Sequence, residues 1–228
     1  MSVEKGREDS IATKTKTLHY CDKEEAILLR IPEALHADHG MFTWPSSLIL
    51  GQFIWKNRRD FVGKNILELG AGTAIPGILA AKIGAKRVYL SDNLAVLHVL
   101  RNLSQCTLAN DLSSSEVEVL GIKWGLYSSQ IHSLRDLDFV LGADTLFDPS
   151  VFEDFLATFA CLLLNSPFST LITVYEIRSP DWTISSLLYK WKLNCVVIPL
   201  SSFDCEPQLI ESYGKELEAF KVLKISPK

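Results

Sequence analysis

From Lys64 onward the chain alternates two kinds of apolar pattern, and that alternation limits its fold more than any other feature. Short, near-continuous apolar runs ("NILELG", "KRVYLSD", "EVEVLGIKW", "DFVLGAD", "STLITVYEI") are separated mostly by segments whose apolar residues recur at helical spacing ("AIPGILAAKIG", "LAVLHVLRNLSQCTLAND", "DPSVFEDFLATFACLLLN", "DWTISSLLYKWK"). After the third run the spacing predicts only a loop and a short helix. Strands apolar on both faces belong to a parallel sheet covered by helices on each side. Right-handed crossovers then predict a doubly wound α/β sandwich. "NCVVIPLSS" and "EAFKVLKIS" close the chain with no long helix between them. A hairpin there puts one antiparallel strand into a seven-stranded, mostly parallel sheet. Ahead of Lys64, "TKTLHY" and "EEAILLRIPE" flank the turn-like "CDKE" and predict a small N-terminal hairpin. "WPSSLILGQFIWKNRRD" reads as a helix that opens at Pro45 and meets the basic residues Lys56, Arg58 and Arg59 at its C-terminal end. Residues 1–13 read as a disordered tail and 14–228 as one domain, which 47% hydrophobic content can supply with a sizeable core.

The net charge of −4, with both signs spread along the chain, argues against a broad basic face for nucleic acid and is compatible with a basic peptide as partner. The five cysteines, Cys21, Cys106, Cys161, Cys195 and Cys205, form no Cys-x-x-Cys or Cys/His cluster. They read as buried thiols of a reducing compartment, with no metal centre. "MSVEKGREDSIATK" has no signal-peptide character, and "FLATFACLLL" is too short to span a bilayer. The expectation is a monomeric protein of cytoplasm and nucleus, without membrane or direct nucleic-acid binding.

The first strand-to-helix turn carries Gly70 and Gly72 around one alanine, where bare backbone allows a tight turn and close approach of a ligand. In such sheets ligands bind beyond the carboxyl ends of the strands, where strand order reverses. Asp92 ends the second strand, 20 positions after Gly72, where a carboxylate can accept from both ribose hydroxyls. A dinucleotide turn wants a third glycine three positions after the second, but Ile75 stands there and the next glycine is Gly77. Glu68, two before the first glycine, repels a pyrophosphate and suits a cationic methionine amino group. Both details favour S-adenosylmethionine over NAD.

"ILELGAGTAIPGI" resembles the first motif of the Rossmann-like class I methyltransferases, and with Pro-Gly following it is similar to methyltransferase family 16, which includes protein lysine methyltransferases. "FTWPSSLIL", "KWG" and "GADTLFD" agree with that family. The tail "VYEIRSPDWTISSLLYKW" with "VVIPLSSFD" is similar to a branch of it assigned histone arginine methylation. The resemblance implies that Glu68, Gly70 and Gly72 line the methionine end of S-adenosyl-L-methionine, that Asp92 holds the ribose, and that Asn93 and Trp124 lie at the adenine. It also implies that the Trp44-Pro45 segment closes over the cofactor and that Ala143 lies at its reactive end. Thr73 either donates to the methionine carboxylate or caps the next helix, the cap being the reading favoured here.

Asp144 ends the fourth strand and Glu176 the fifth, so both can face the crevice as catalytic acids. A guanidinium, which resists deprotonation, wants carboxylates that grip it in plane and concentrate electron density on one nitrogen. Lysine members of the family carry an aromatic hydroxyl three residues after the aspartate, whereas this chain has Phe147. Phe147, Tyr175, Arg178 and Trp182 are expected to shape the substrate mouth. The resulting expectation is a methyltransferase acting on arginine of a basic protein such as a histone, in chromatin and transcription regulation. The rivals are a lysine methyltransferase and a non-catalytic adaptor that keeps the cofactor fold and binds a chaperone or transcription factor. His98 reads as packing or surface, and His36, His39 and His132 show no metal spacing.

Overall fold

The structure, a computed structural model, describes residues 13–34 and 39–228. Of the expected tail only Thr13 falls within these residues, and it already pairs with Ala34. His36 lies outside the described residues. Strands β1 (Thr13–Cys21) and β2 (Ala26–Ala34) form the expected hairpin, as a separate two-stranded antiparallel sheet. Its turn is closed by Asp22, whose Oδ1 accepts from the amides of Glu24 and Glu25 at 2.9 and 3.0 Å. Helix α1 (Pro45–Lys56) starts at the proline, as the fixed φ of that residue favours. The basic cluster is split, because Arg58 opens a separate one-turn helix, α2 (Arg58–Phe61).

The alternating segments then follow as β3 (Asn65–Leu69), α3 (Ile75–Lys82), β4 (Arg87–Asp92), α4 (Leu97–Ala109), β5 (Val117–Gly121), the short α5 (Ser129–Ser133), β6 (Phe139–Ala143), α6 (Pro149–Leu162), β7 (Thr170–Glu176), α7 (Ser185–Lys190), β8 (Leu193–Ile198), α8 (Gln208–Glu211) and β9 (Phe220–Pro227). Two helices start later than their apolar spacing suggests, each behind a side chain that offers the backbone a local alternative. Before α4, Asn93 Oδ1 accepts from the Ala95 amide at 3.1 Å. Before α7, Thr183 Oγ1 accepts from the Ser185 amide at 3.2 Å.

The seven strands lie in the order β5-β4-β3-β6-β7-β9-β8, with β9 antiparallel to both neighbours and the other pairs parallel. Strand order reverses between β3 and β6, which opens a crevice at their carboxyl ends. Because side chains alternate along a strand, each face of the sheet has its own core. Ile66, Val88, Leu141 and Val174 pack with α1, α3, α4 and the hairpin, and Leu67, Val140, Leu171 and Ile225 with α5 and α6. The hairpin is fastened to α4 by Asn110, whose amide accepts from the Arg30 N–H at 2.9 Å and donates to the Arg30 carbonyl at 2.7 Å. Among the described residues no helix is long and apolar enough to cross a membrane. The thiols differ from the uniform burial expected: Cys106 is buried, Cys21 is exposed and the other three are intermediate.

Candidate active site

A cleft of about 1170 Å³ lies over the carboxyl ends of β3, β4, β6 and β7. Its floor is the Gly70–Thr73 turn. Gly70 and Gly72 have φ of +65° and +54°, which L side chains rarely adopt. The bareness of Gly70 also serves packing, since a Cβ there would stand 2.8 Å from Cζ2 of Trp124. Trp124 leans edge-on against Phe155, with ring centroids 5.1 Å apart, and forms one wall.

Asp92 faces the cleft with Oδ2 accepting from the Gly72 N–H at 2.9 Å and Oδ1 from the Asn93 N–H at 2.7 Å. Burial raises its pKa, while these two amides and the nearby His98 pull it back down. Each oxygen keeps a lone pair for a ligand hydroxyl. Asn93, Trp44 and Ala143 line the same cleft, with Trp44 edge-on to Phe42 at 5.3 Å.

Glu68 lies elsewhere. Alternation along β3 places it on the face of Ile66, fully buried beneath α3 and off the cleft wall. Its Oε2 accepts from the Gly77 N–H at 2.8 Å, and Oε1 has no partner. Burial pushes its carboxyl up to about 8, against the pull of the Gly77 amide and with a further push from Asp92. In this structure Glu68 holds the first turn of α3 from below. Thr73 is not the cap of α3, because Ala74, with φ +56°, is the N-cap residue. The Thr73 hydroxyl lies 3.5 Å from that of Thr43, at the edge of the cleft.

The donor set fits S-adenosylmethionine and not a pyrophosphate. At the start of α3 Pro76 brings no N–H, the Gly77 N–H goes to Glu68 and that of Ile78 to the Ala74 carbonyl at 2.9 Å. Little of the helix N-terminus is left to cradle an anion. The Asp92 carboxylate, the bare glycine turn and the two tryptophans Trp44 and Trp124 remain to line the cleft.

At the other end Asp144, with φ +57°, and Glu176 both face the cleft. Both already hold cations. Arg178 donates Nη1 to Asp144 Oδ1 at 3.0 Å and Nη2 to Oδ2 at 2.6 Å. The same Nη2 lies 3.8 Å from Glu176 Oε2, and Lys215 Nζ is paired with Glu176 Oε1. The bond to Asp144 holds the Arg178 pKa above its ordinary value, although burial acts the other way.

Phe147 also lines this end and is 42% exposed. Two of the expected mouth residues are elsewhere. Tyr175, one place before Glu176 on β7, points to the opposite face of the sheet and packs in the α6 core, where burial raises its hydroxyl pKa. Trp182 stands exposed against Phe152, at 5.9 Å, off the cleft wall.

Sequence reading missed Lys215 and Tyr213. Both belong to the β8–β9 connection. β8 runs parallel to β7, so that connection must cross the carboxyl edge of the sheet, and this was the one available signal. Tyr213 packs on Phe42 at 5.8 Å and accepts from Lys16 Nζ at 2.5 Å, which ties the rim to the N-terminal hairpin. Among the described residues no group of three or more His, Cys, Asp or Glu could hold a metal ion.

The family described as lysine methyltransferase matches residues 23–184. Histone-arginine methyltransferase METTL23 of Mus musculus is 44% identical over 180 residues, which cover 79% of this chain and 70% of that protein. The Homo sapiens protein of the same name is 43% identical over 168 residues, covering 74% and 87%. Among solved structures, magnesium protoporphyrin IX methyltransferase (ChlM) from Synechocystis PCC 6803 with bound SAM superposes with a TM-score of 0.56 at 14% identity, over 81% of this chain and 80% of that one. At that identity the likeness concerns the fold alone.

Proposed function

This chain belongs to the family described as lysine methyltransferase and is an S-adenosylmethionine-dependent protein methyltransferase, and within that class we propose that its acceptor is an arginine nitrogen on a basic protein such as a histone. One observation carries the choice of arginine: Asp144 receives a guanidinium, that of Arg178, through two parallel N–H···O bonds beside the second acid Glu176. A planar fork matched to a carboxylate is the recognition that arginine needs and an ammonium cannot use. The kinship with relatives named histone-arginine methyltransferases points the same way. So does Phe147, which leaves the position of the lysine members' aromatic hydroxyl without one.

S-adenosylmethionine supplies an electrophilic methyl group on a sulfonium. In this reading Asp92 holds the ribose, with Asn93, Trp124 and Trp44 enclosing the nucleoside and the Gly70–Thr73 turn carrying the methionine end. Asp144 and Glu176 accept N–H bonds from the substrate guanidinium, fix its plane and raise the electron density on the attacking nitrogen. The proton released on methylation passes to one of these carboxylates, Glu176 being the more open to water at 14% exposure against 8% for Asp144. Orientation and exclusion of water of this kind can supply about 7–11 kcal/mol of the barrier. A histone acceptor places the protein in cytoplasm or nucleus and its effect in chromatin.

The test is transfer of a labelled methyl group to a mixed histone panel, followed by mass spectrometry of the modified residue. Methylarginine is the expected product, and methylation confined to lysine would overturn the arginine assignment.

A further inference from the structure

Two carboxylates, one guanidinium and one ammonium meet at the substrate end of the cleft, so the cluster of Asp144, Glu176, Arg178 and Lys215 is formally neutral. A neutral cluster offers little attraction to a cationic side chain that must sit beside a cationic sulfonium. The acids acquire a net countercharge only when their present partners leave.

Arg178 is built to leave. It sits just beyond β7, where the Ile177 amide is anchored to the Ala219 carbonyl at 2.7 Å. The backbone is therefore held, while the long side chain, still 26% exposed, has a way out to solvent. We propose that Arg178 is a stand-in for the substrate guanidinium and occupies the acids until a substrate arginine displaces it. The inference rests on the arginine reading above and deepens it.

The physical basis is an exchange. An incoming guanidinium makes the same two parallel bonds to Asp144 that Arg178 gives up, and Arg178 regains water, so the swap is close to balanced. An incoming ammonium is a point charge that cannot reproduce the pair of bonds, so it loses the exchange. The cost of evicting the resident fork is shared by every newcomer and lowers all affinities alike, while the preference for arginine comes from the contacts the newcomer makes.

The test is calorimetric binding, with S-adenosylhomocysteine present at saturation, of an acetylated and amidated Gly-Arg-Gly peptide and of its Gly-Lys-Gly counterpart. Wild type should bind the arginine peptide weakly and the lysine peptide more weakly still. Arg178→Ala should bind both peptides about tenfold tighter with their ratio little changed, because both are relieved of the same cost. Arg178→Lys keeps the charge without the fork and should also tighten arginine binding. It decides the matter alone if the alanine variant melts early. Unchanged or weakened binding of the arginine peptide would overturn the stand-in role and make Arg178 a strut for Asp144. The readout is binding and not methylation, so a lysine-only product in the wild type would sink the arginine reading while leaving the change in peptide affinity to judge Arg178 separately.

Discussion

The two ends of the cleft hold their carboxylates in opposite ways. At the end proposed for the nucleoside Asp92 is fixed by the amides of Gly72 and Asn93, and Glu68 beneath it by the amide of Gly77. At the end proposed for the acceptor Asp144 and Glu176 are held by the side chains of Arg178 and Lys215. Main-chain donors cannot swing away, so the first pair is set before any ligand arrives. Side-chain cations can, so the second pair can change partners. The first arrangement suits one invariant ligand. The second suits an acceptor that enters and leaves as part of a large protein, and the difference is open to attack from either side.

The largest effect is expected at Asp144. Asparagine tolerates the left-handed φ of +57° and keeps the shape but removes the charge. Asp144→Asn should lower methyl transfer by roughly 10²–10⁴-fold. The calorimetric affinity for S-adenosylhomocysteine should stay within a few-fold, since the side-chain bonds of Asp144 run to Arg178 and not to Asp92. Equal loss of cofactor affinity would mean that the two ends are one unit, and undiminished transfer would remove Asp144 from the chemistry.

A smaller effect is expected at Asp92. Hydrogen bonds from ribose hydroxyls to a carboxylate are charge-assisted, and removing the charge should weaken cofactor binding by about 10–100-fold. Asp92→Asn should leave the rate at saturating cofactor close to that of the wild type, the mirror image of Asp144→Asn. A collapse of that rate would show that the amide-held end also takes part after binding.

The same contrast explains what could be read from the chain alone. The bonds of the nucleoside end span 20 positions from Asp92 to Gly72 and 9 from Glu68 to Gly77, and they sit on a strand, a turn and a helix whose apolar periods are plain. Asp92, the glycine turn and the fold around them were therefore legible. The acceptor end joins residues 34 and 39 positions apart. Strand ends located Asp144 and Glu176, but no local period reports which cations will face them, so Lys215 was missed. Facing direction was the other weak point. Residues were placed by nearness to a strand end, yet alternation turns Tyr175 to the far face and Glu68 under α3. Counting parity from Ile66, which is plainly apolar core, would have exposed the Glu68 placement in advance.

Glu68 gives the smallest effect and the finest cut between the two ends. Its folded-state carboxyl titrates at about 8 against an ordinary 4.5, so between those values the folded protein keeps a proton that the unfolded chain has released. The stabilisation is complete below the unfolded value, falls as pH rises, and is gone once the folded value is passed. The slope in between is about 1.4 kcal/mol per pH unit, or roughly 3–5 °C of melting temperature per unit for a domain of this size. Glu68→Gln keeps an oxygen for the Gly77 amide and removes the titration, so its melting temperature should lack that slope between pH 5.5 and 7.5, where the wild type shows it. Parallel melting curves would mean that Glu68 is already ionised in the free protein and that the turn is not held by a neutral acid. Repeating the series with saturating S-adenosylmethionine sharpens the point. If the cofactor leaves the wild-type slope in place, Glu68 stays neutral and acts only on the turn. If the cofactor abolishes it, the buried acid ionises against the ligand's cationic amino group, and the main-chain-held end also carries an exchangeable charge.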